Sequence, residues 1–300
     1  MKNMKHLIFG LTLCAAVSAT AAVNLKDGGW QKDSDANKDG KGDTTGIPAE
    51  PGSMSSYHRY VTIDNGKFGP YFSYNGMDDP ALLPKGKTFA GKDLCLYIPT
   101  INDPGWYSAG FLDISINGVS VKDYKPEISS ENKGSSGIIN YVWDMDAAKV
   151  KMTLTLQDGA DNFSVSCALE PKKEITSIQV RTLCIPSSFT QPADRMVVTP
   201  TRELSPGQEI KIEPSKEFWL VYGDKKFDRK NDPKTSDGPC ALLFPPAEPS
   251  SVAILLNNYD IITTLSYPPT TKELNLVFWP SLLKTNEEAV SILRGLSVSK

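Results

Sequence analysis

From residue 57 onward, apolar and polar residues alternate along most of the chain. In KVKMTLTLQ, Val150, Met152, Leu154 and Leu156 take one face while Lys151, Thr153 and Thr155 take the other. That is the period-2 pattern of a strand in a sheet solvated on one side. YHRYVTID, DLCLYIP, IINYVWDM, NFSVSCALE, TSIQVRTLCI, EIKIEP, EFWLVYG, CALLFP, VAILLNN, IITTLSY and ELNLVFWP read as further strands. The last of these are apolar almost throughout, which predicts strands that are central or covered on both faces. FLDISINGVSVKDY is the clearest hairpin. Leu112, Ile114 and Ile116 face one side, Asp113 and Ser115 the other, and Asn117-Gly118 supplies two residues that tolerate a positive φ.

Between the strands, Pro192 to Pro206, Pro245-Pro246 to Pro249, and the polar run FDRKNDPKTSDGP read as loops. One helix is predicted. Thr285 and Glu288 have the spacing of a capping box, Val290, Leu293 and Leu296 follow at helical intervals, and Gly295 marks the end. About a dozen or more strands with one short C-terminal helix predict an all-β fold, a large antiparallel β-sandwich. The GFLDISINGVSV hairpin followed by a long meander resembles the supersandwich of the galactose mutarotase-like proteins. Many carbohydrate-active enzymes carry that fold, so the resemblance implies a carbohydrate-related role. Active mutarotases use two histidines and a carboxylate. Past the N-terminal leader this chain has His58 alone, so the resemblance does not bring that activity with it.

The N-terminus follows the three-part pattern of a signal peptide. Lys2 and Lys5 form a positive region, Leu7 to Val17 an apolar one, and Ala19-Thr20-Ala21 a cleavage site. Cys14 follows Leu13, where a lipobox takes a small residue. The expected organisation is a signal peptide at 1–21, a polar extension at 22–56 and a β-sandwich domain at 57–300. The protein is expected to be exported, to a periplasm or to the extracellular space. No later stretch is apolar enough to cross a membrane. Losing Lys2 and Lys5 with the leader takes the formal charge from −3 to −5. That acidity argues against nucleic acid as a partner. Cys95, Cys167, Cys184 and Cys240 remain, enough for two disulfides in any of three connectivities, or for buried thiols. Cys167 and Cys184 both fall on core-facing positions. A hairpin turning at Pro171-Lys172-Lys173 would set Cys167 nearer residue 177 than 184, which argues against a direct bridge between them. No cysteine spacing resembles a zinc site.

Within the extension lies DSDANKDGKGD, from Asp33 to Asp43. With Asp35 as position 1, Asn37, Asp39, Lys41 and Asp43 fall at positions 3, 5, 7 and 9, and Gly40 falls at position 6. Calcium takes six to eight oxygens, alternate residues of a tight loop can aim them inward, and position 7 needs only a backbone carbonyl. The pattern resembles the calcium loops of thrombospondin type 3 repeats and dockerins. That resemblance implies a structural calcium held by Asp33, Asp35, Asn37, Asp39, Lys41 and Asp43. Position 12 is Gly46 where the dockerin loop has an acid, and no second copy exists, so a dockerin role does not follow.

A hydrolytic triad would need His58 as base, and no G-x-S-x-G elbow is present. The acidic pairs Asp78-Asp79, Asp144 with Asp146, and Glu287-Glu288 are sequence neighbours, which seldom stand across a scissile bond. Aromatic residues in turn-rich stretches are the better lead. FGPYFSYNGMDDP holds Tyr71 and Tyr74, and NDPGWYSAG holds Trp106 and Tyr107. Rings of this kind either stack on sugar faces or cap the ends of a sandwich core. Trp143, Trp219 and Trp279 lie within strand patterns and are assigned to the core. The favoured reading is a carbohydrate-binding or carbohydrate-associated protein with a structural calcium loop, leaning away from an enzyme. The alternatives are a polysaccharide lyase or glycoside hydrolase working on a concave sheet, and an envelope-associated structural protein without a small ligand.

Overall fold

The computed structural model describes residues 23–32, 57–67, 69–77, 90–97, 111–186, 193–204, 206–207, 209–234, 236, 238–279 and 284–298. In chain order the first strands are β1 (Asn24–Asp27), β2 (Gln31–Lys32), β3 (Tyr57–Asp64), β4 (Tyr71–Met77) and β5 (Ala90–Tyr97). Next come β6 (Asp113–Ile116), β7 (Val119–Ser120), β8 (Glu127–Asn132), β9 (Ser136–Asp144), β10 (Ala148–Gln157) and β11 (Phe163–Pro171). Then follow β12 (Ile178–Cys184), β13 (Arg195–Val198), β14 (Glu203–Leu204), β15 (Glu209–Ile212) and β16 (Trp219–Asp224). The chain closes with β17 (Cys240–Leu243), β18 (Ser251–Leu256), β19 (Ile261–Tyr267), β20 (Glu273–Trp279) and the helix α1 (Asn286–Val298).

These strands form three antiparallel sheets in a sandwich-like layout. The first runs β1-β3-β4-β5, with β2 also on β3. The second has nine strands in the order β14-β13-β16-β17-β20-β11-β10-β9-β8. The third has six, in the order β15-β18-β19-β12-β6-β7. One side of the nine-stranded sheet is the layer that the other two share. At its β8–β11 end it meets the first sheet, with Phe72 edge-on to Phe163 at 5.5 Å between centroids and Tyr74 beside Tyr141 at 6.2 Å. Toward β16 and β17 it meets the six-stranded sheet, where the Tyr222 hydroxyl stands 2.9 Å from Thr263 Oγ1.

Alternation determines which residues reach this shared core. Val150, Met152, Leu154 and Leu156 of β10 are all buried, opposite Leu169, Cys167, Val165 and Phe163 of β11. Burying such side chains is worth about 1.5–3 kcal/mol each before conformational entropy is counted. Polar side chains fasten the first sheet to this layer. Asp27 accepts from Arg59 at 2.9 and 2.6 Å and from Ser130 Oγ at 2.8 Å. The Asn65 amide donates to the carbonyls of Gln157 and Ala160.

The hairpin turns as its sequence predicts, with φ of 53° at Asn117 and 76° at Gly118. β16 and β17 are buried along their whole length. By contrast β18, β19 and β20, expected from their apolar runs to be central or covered on both faces, alternate buried with partly open positions because one face of each is not covered. The capping box forms, with Glu288 N–H donating to Thr285 Oγ1 and Thr285 N–H to Glu288 Oε2. Gly295 does not end α1, which continues to Val298. The segment from Pro192 to Pro206 is not all loop. Arg195–Val198 form a buried strand, because Met196 faces the helix side while Val197 faces the shared core. FGPYFSYNGMDDP is likewise not a loop throughout, since Tyr71–Met77 pair with both β3 and β5. β11 and β12 do not form a hairpin. β11 pairs with β10 and β20, whereas β12 pairs with β6 and β19 of the other sheet.

Candidate functional site

The second side of the nine-stranded sheet is divided in two. Over β13, β16, β17 and β20 it is apolar, with Met196, Val198, Trp219, Val221, Ala241, Leu243 and Trp279, and the α1 residues Ala289, Val290 and Leu293 cover it. Over β8 to β11 and the start of β20 the outward residues are mostly polar and at least partly open to solvent. The register lines five of them up across five strands: Ser129 opposite Asn140, Asn140 opposite Thr153, Thr153 opposite Ser166, and Ser166 opposite Asn275. At roughly 4.8 Å per strand this row is about 19 Å long.

Each member of the row is uncharged and can form hydrogen bonds. Thr153 Oγ1 donates to Asn140 Oδ1 at 2.8 Å. Asn275 Oδ1 is shut off from solvent and has no hydrogen-bond partner among the described residues. A buried amide oxygen left unpaired costs about 1–3 kcal/mol. One flank of the row is mixed, with Glu131, Ile138, Thr155, Ser164 and Val277 in register. Beyond Val277 lies Trp279, whose indole N–H donates to Asp161 Oδ1 at 3.1 Å. The other flank carries charge at Glu127, Lys151 and Glu273.

The acids with the most hydrogen-bond or ion-pair partners lie elsewhere and brace the fold. Burial works against the charge of Glu217, but hydrogen bonds from the Glu213 backbone, Thr199, Thr201 and Arg202 outweigh it and hold the carboxyl at about 2. All four donors lie within 3.1 Å. Asp228 accepts the N–H of Lys230 and the first N–H of α1, from Asn286. The hydrogen bond from Lys172, at 2.6 Å, holds Asp144 below the usual carboxylate range at an exposed edge. Among the described residues no group of three or more His, Cys, Asp or Glu side chains could hold a metal ion.

Of the aromatic candidates, Tyr74 requires correction. It is 1% exposed, edge-on to Trp30 and packed beside Tyr141 and Trp143, so its ring offers no face to a sugar. Alternation in β4 turns Phe72 and Tyr74 to the same inner side. Tyr71 opens β4, its backbone paired with Thr62 and Tyr97. Trp106 and Tyr107 lie outside the described residues, as do Asp33, Asp35, Asn37, Asp39, Lys41 and Asp43. The backbone of His58 pairs with Gln31 and Asn75. Trp143, Trp219 and Trp279 are core residues, as their strand patterns imply. The polar row is not evident from any one segment. Its only local trace is Thr153 and Thr155 on the solvated face of KVKMTLTLQ.

No family model matches the chain, and no curated protein matches it either. Solved structures are similar in shape. A chondroitinase AC lyase is 11% identical at a TM-score of 0.44, with 86% of this chain and 40% of that chain covered. A TPR-domain containing protein from Parabacteroides distasonis is 9% identical at 0.45, with 87% and 56% covered. A GH36 alpha-galactosidase from Geobacillus stearothermophilus is 10% identical at 0.39, with 74% and 41% covered. The chain thus spans about half the length of these proteins or less.

Proposed function

We propose that the open half of the nine-stranded sheet binds a carbohydrate chain laid across its strands, and that the protein is an exported carbohydrate-binding protein. The observation behind this reading is the row Ser129–Asn140–Thr153–Ser166–Asn275, in register across five strands. Sugars present dense, uncharged donors and acceptors beside apolar ring faces. The row supplies uncharged partners, and Ile138 and Val277 supply apolar contact next to it. Hydroxyls and amides do not titrate near neutral pH, so the row suits binding better than general acid–base chemistry. Export rests on the Lys2 to Ala21 pattern, and a structural calcium on the Asp33 to Asp43 pattern.

A glycan array probed with the mature chain, followed by calorimetry on the best-bound oligosaccharide, tests this reading. Asn140→Ala and Thr153→Val should each weaken binding about tenfold, the loss of roughly one well-formed hydrogen bond, with little change in unfolding midpoint. An array without a bound glycan, or binding that neither substitution changes, would overturn the proposal.

A further inference from the structure

Cys184 ends β12 in the six-stranded sheet, and Cys240 begins β17 in the nine-stranded sheet. Their Sγ atoms stand 3.6 Å apart across the shared core, and both residues are 0% exposed. No S–S bond joins them. The ordered sheets on either side bring the sulfurs together from positions 56 residues apart in the chain. Cys167, by contrast, sits in β11 opposite Met152 and Leu274, and burial alone pushes its thiol up, away from the reactive thiolate.

We propose that Cys184 and Cys240 form an inter-sheet disulfide when the chain folds in the presence of an exchangeable disulfide such as oxidised glutathione. The first thiol loses its proton, and its thiolate attacks a glutathione sulfur, releasing one reduced glutathione and leaving a mixed disulfide. The second thiol then loses its proton and attacks the protein sulfur of that mixed disulfide, releasing the second glutathione. Two protein thiols are oxidised by two electrons, and one small disulfide is reduced to two thiols. An S–S bond is about 2.05 Å long, so the sulfurs close roughly 1.6 Å, a movement within reach of side-chain rotation and slight strand shift. Because neither sulfur reaches solvent in the closed sandwich, exchange takes place before the two sheets pack. The finished bond is then shielded from reductant.

The test is to unfold the mature chain in guanidinium and refold it in oxidised and reduced glutathione. Remaining thiols are then trapped with an alkylating reagent, and the unreduced digest is mapped by mass spectrometry. The expected product joins the peptide of Cys184 to that of Cys240. Its thermal midpoint should lie about 5–10 °C above that of the reduced protein, as loop-closure entropy for a chain of this size implies. This gain should vanish in Cys184→Ser. Alkyl groups on both Cys184 and Cys240 after oxidative refolding, or linkage of either to Cys95 or Cys167, would overturn the proposal. The mapping on the unsubstituted chain decides the matter even where the serine variant fails to fold.

Discussion

Arg195 and Asp224 face each other directly across β13 and β16, Nη1 to Oδ2 at 3.2 Å, with neither side chain open to solvent. Arg195 also donates to the carbonyls of Tyr259 and Pro186. Asp224 accepts the backbone N–H groups of Asp194, Lys226 and Phe227. Burial draws the guanidinium below its ordinary pKa, and the Asp224 charge opposes that shift. The pair fastens a short strand between Pro-rich segments into the sheet.

Breaking this pair leaves one charge buried alone. Arg195→Met should therefore destabilise the protein by about 3–5 kcal/mol, measured from urea unfolding with an unchanged m-value. A loss under 1 kcal/mol would mean that Asp224 is held by its backbone donors alone.

Glu217 makes stability depend on acid pH. Its folded pKa is about 2, below the ordinary 4.5, so the carboxylate stabilises the fold above pH 4.5. That contribution is lost as pH falls from 4.5 toward 2, and amounts to on the order of 3 kcal/mol. Unfolding free energies at pH 7 and pH 3 should converge in Glu217→Gln relative to the unsubstituted chain. Equal pH dependence in both proteins would assign acid unfolding to other carboxylates.

Gly137 of β9 lies tightly against the first sheet. A Cβ there would lie 2.6 Å from Ile63 Cγ2 and 3.0 Å from Val23 Cγ1. Gly137→Ala should cost about 1–3 kcal/mol through overpacking. Hydrogen exchange should quicken in β3 while β18 and β19 keep their protection. Uniform loss of protection would show that the sheets open together.

The Asp33 to Asp43 sequence pattern predicts calcium dependence. Removing calcium with EDTA should lower the thermal midpoint of the mature protein, and adding it back should restore it, by mass action on the folded state. The response should disappear in Asp39→Ala. An unchanged midpoint at millimolar calcium would leave DSDANKDGKGD as a solvated acidic segment.

Several elements were legible from the chain because each depends on neighbours a few residues apart. The strand β10 follows from the alternation of Val150, Met152, Leu154 and Leu156. The hairpin turn follows from Asn117-Gly118, and the start of α1 from Thr285 and Glu288. Gly69, Pro70 and Gly76 signal a turn around β4, and pairing with β3 and β5 overrides that signal. Gly295 is no stop signal, because α1 remains packed through Leu293 and Leu296 against the sheet.

By itself, then, the sequence determined the β-rich character of the fold, the inward and outward faces of its long strands, its tightest turn and its helix cap. Only the tertiary structure decided which strands lie side by side. Ser129, Asn140, Thr153, Ser166 and Asn275 become a row through four pairings, the last of them reaching 109 positions along the chain. Tyr74 is assigned to the core by Tyr141 and Trp143, and Cys184 meets Cys240 across two sheets. The reason is physical. A period-2 pattern specifies a side for each residue, but strand order and register come from burying all those sides together, and that is a property of the whole chain.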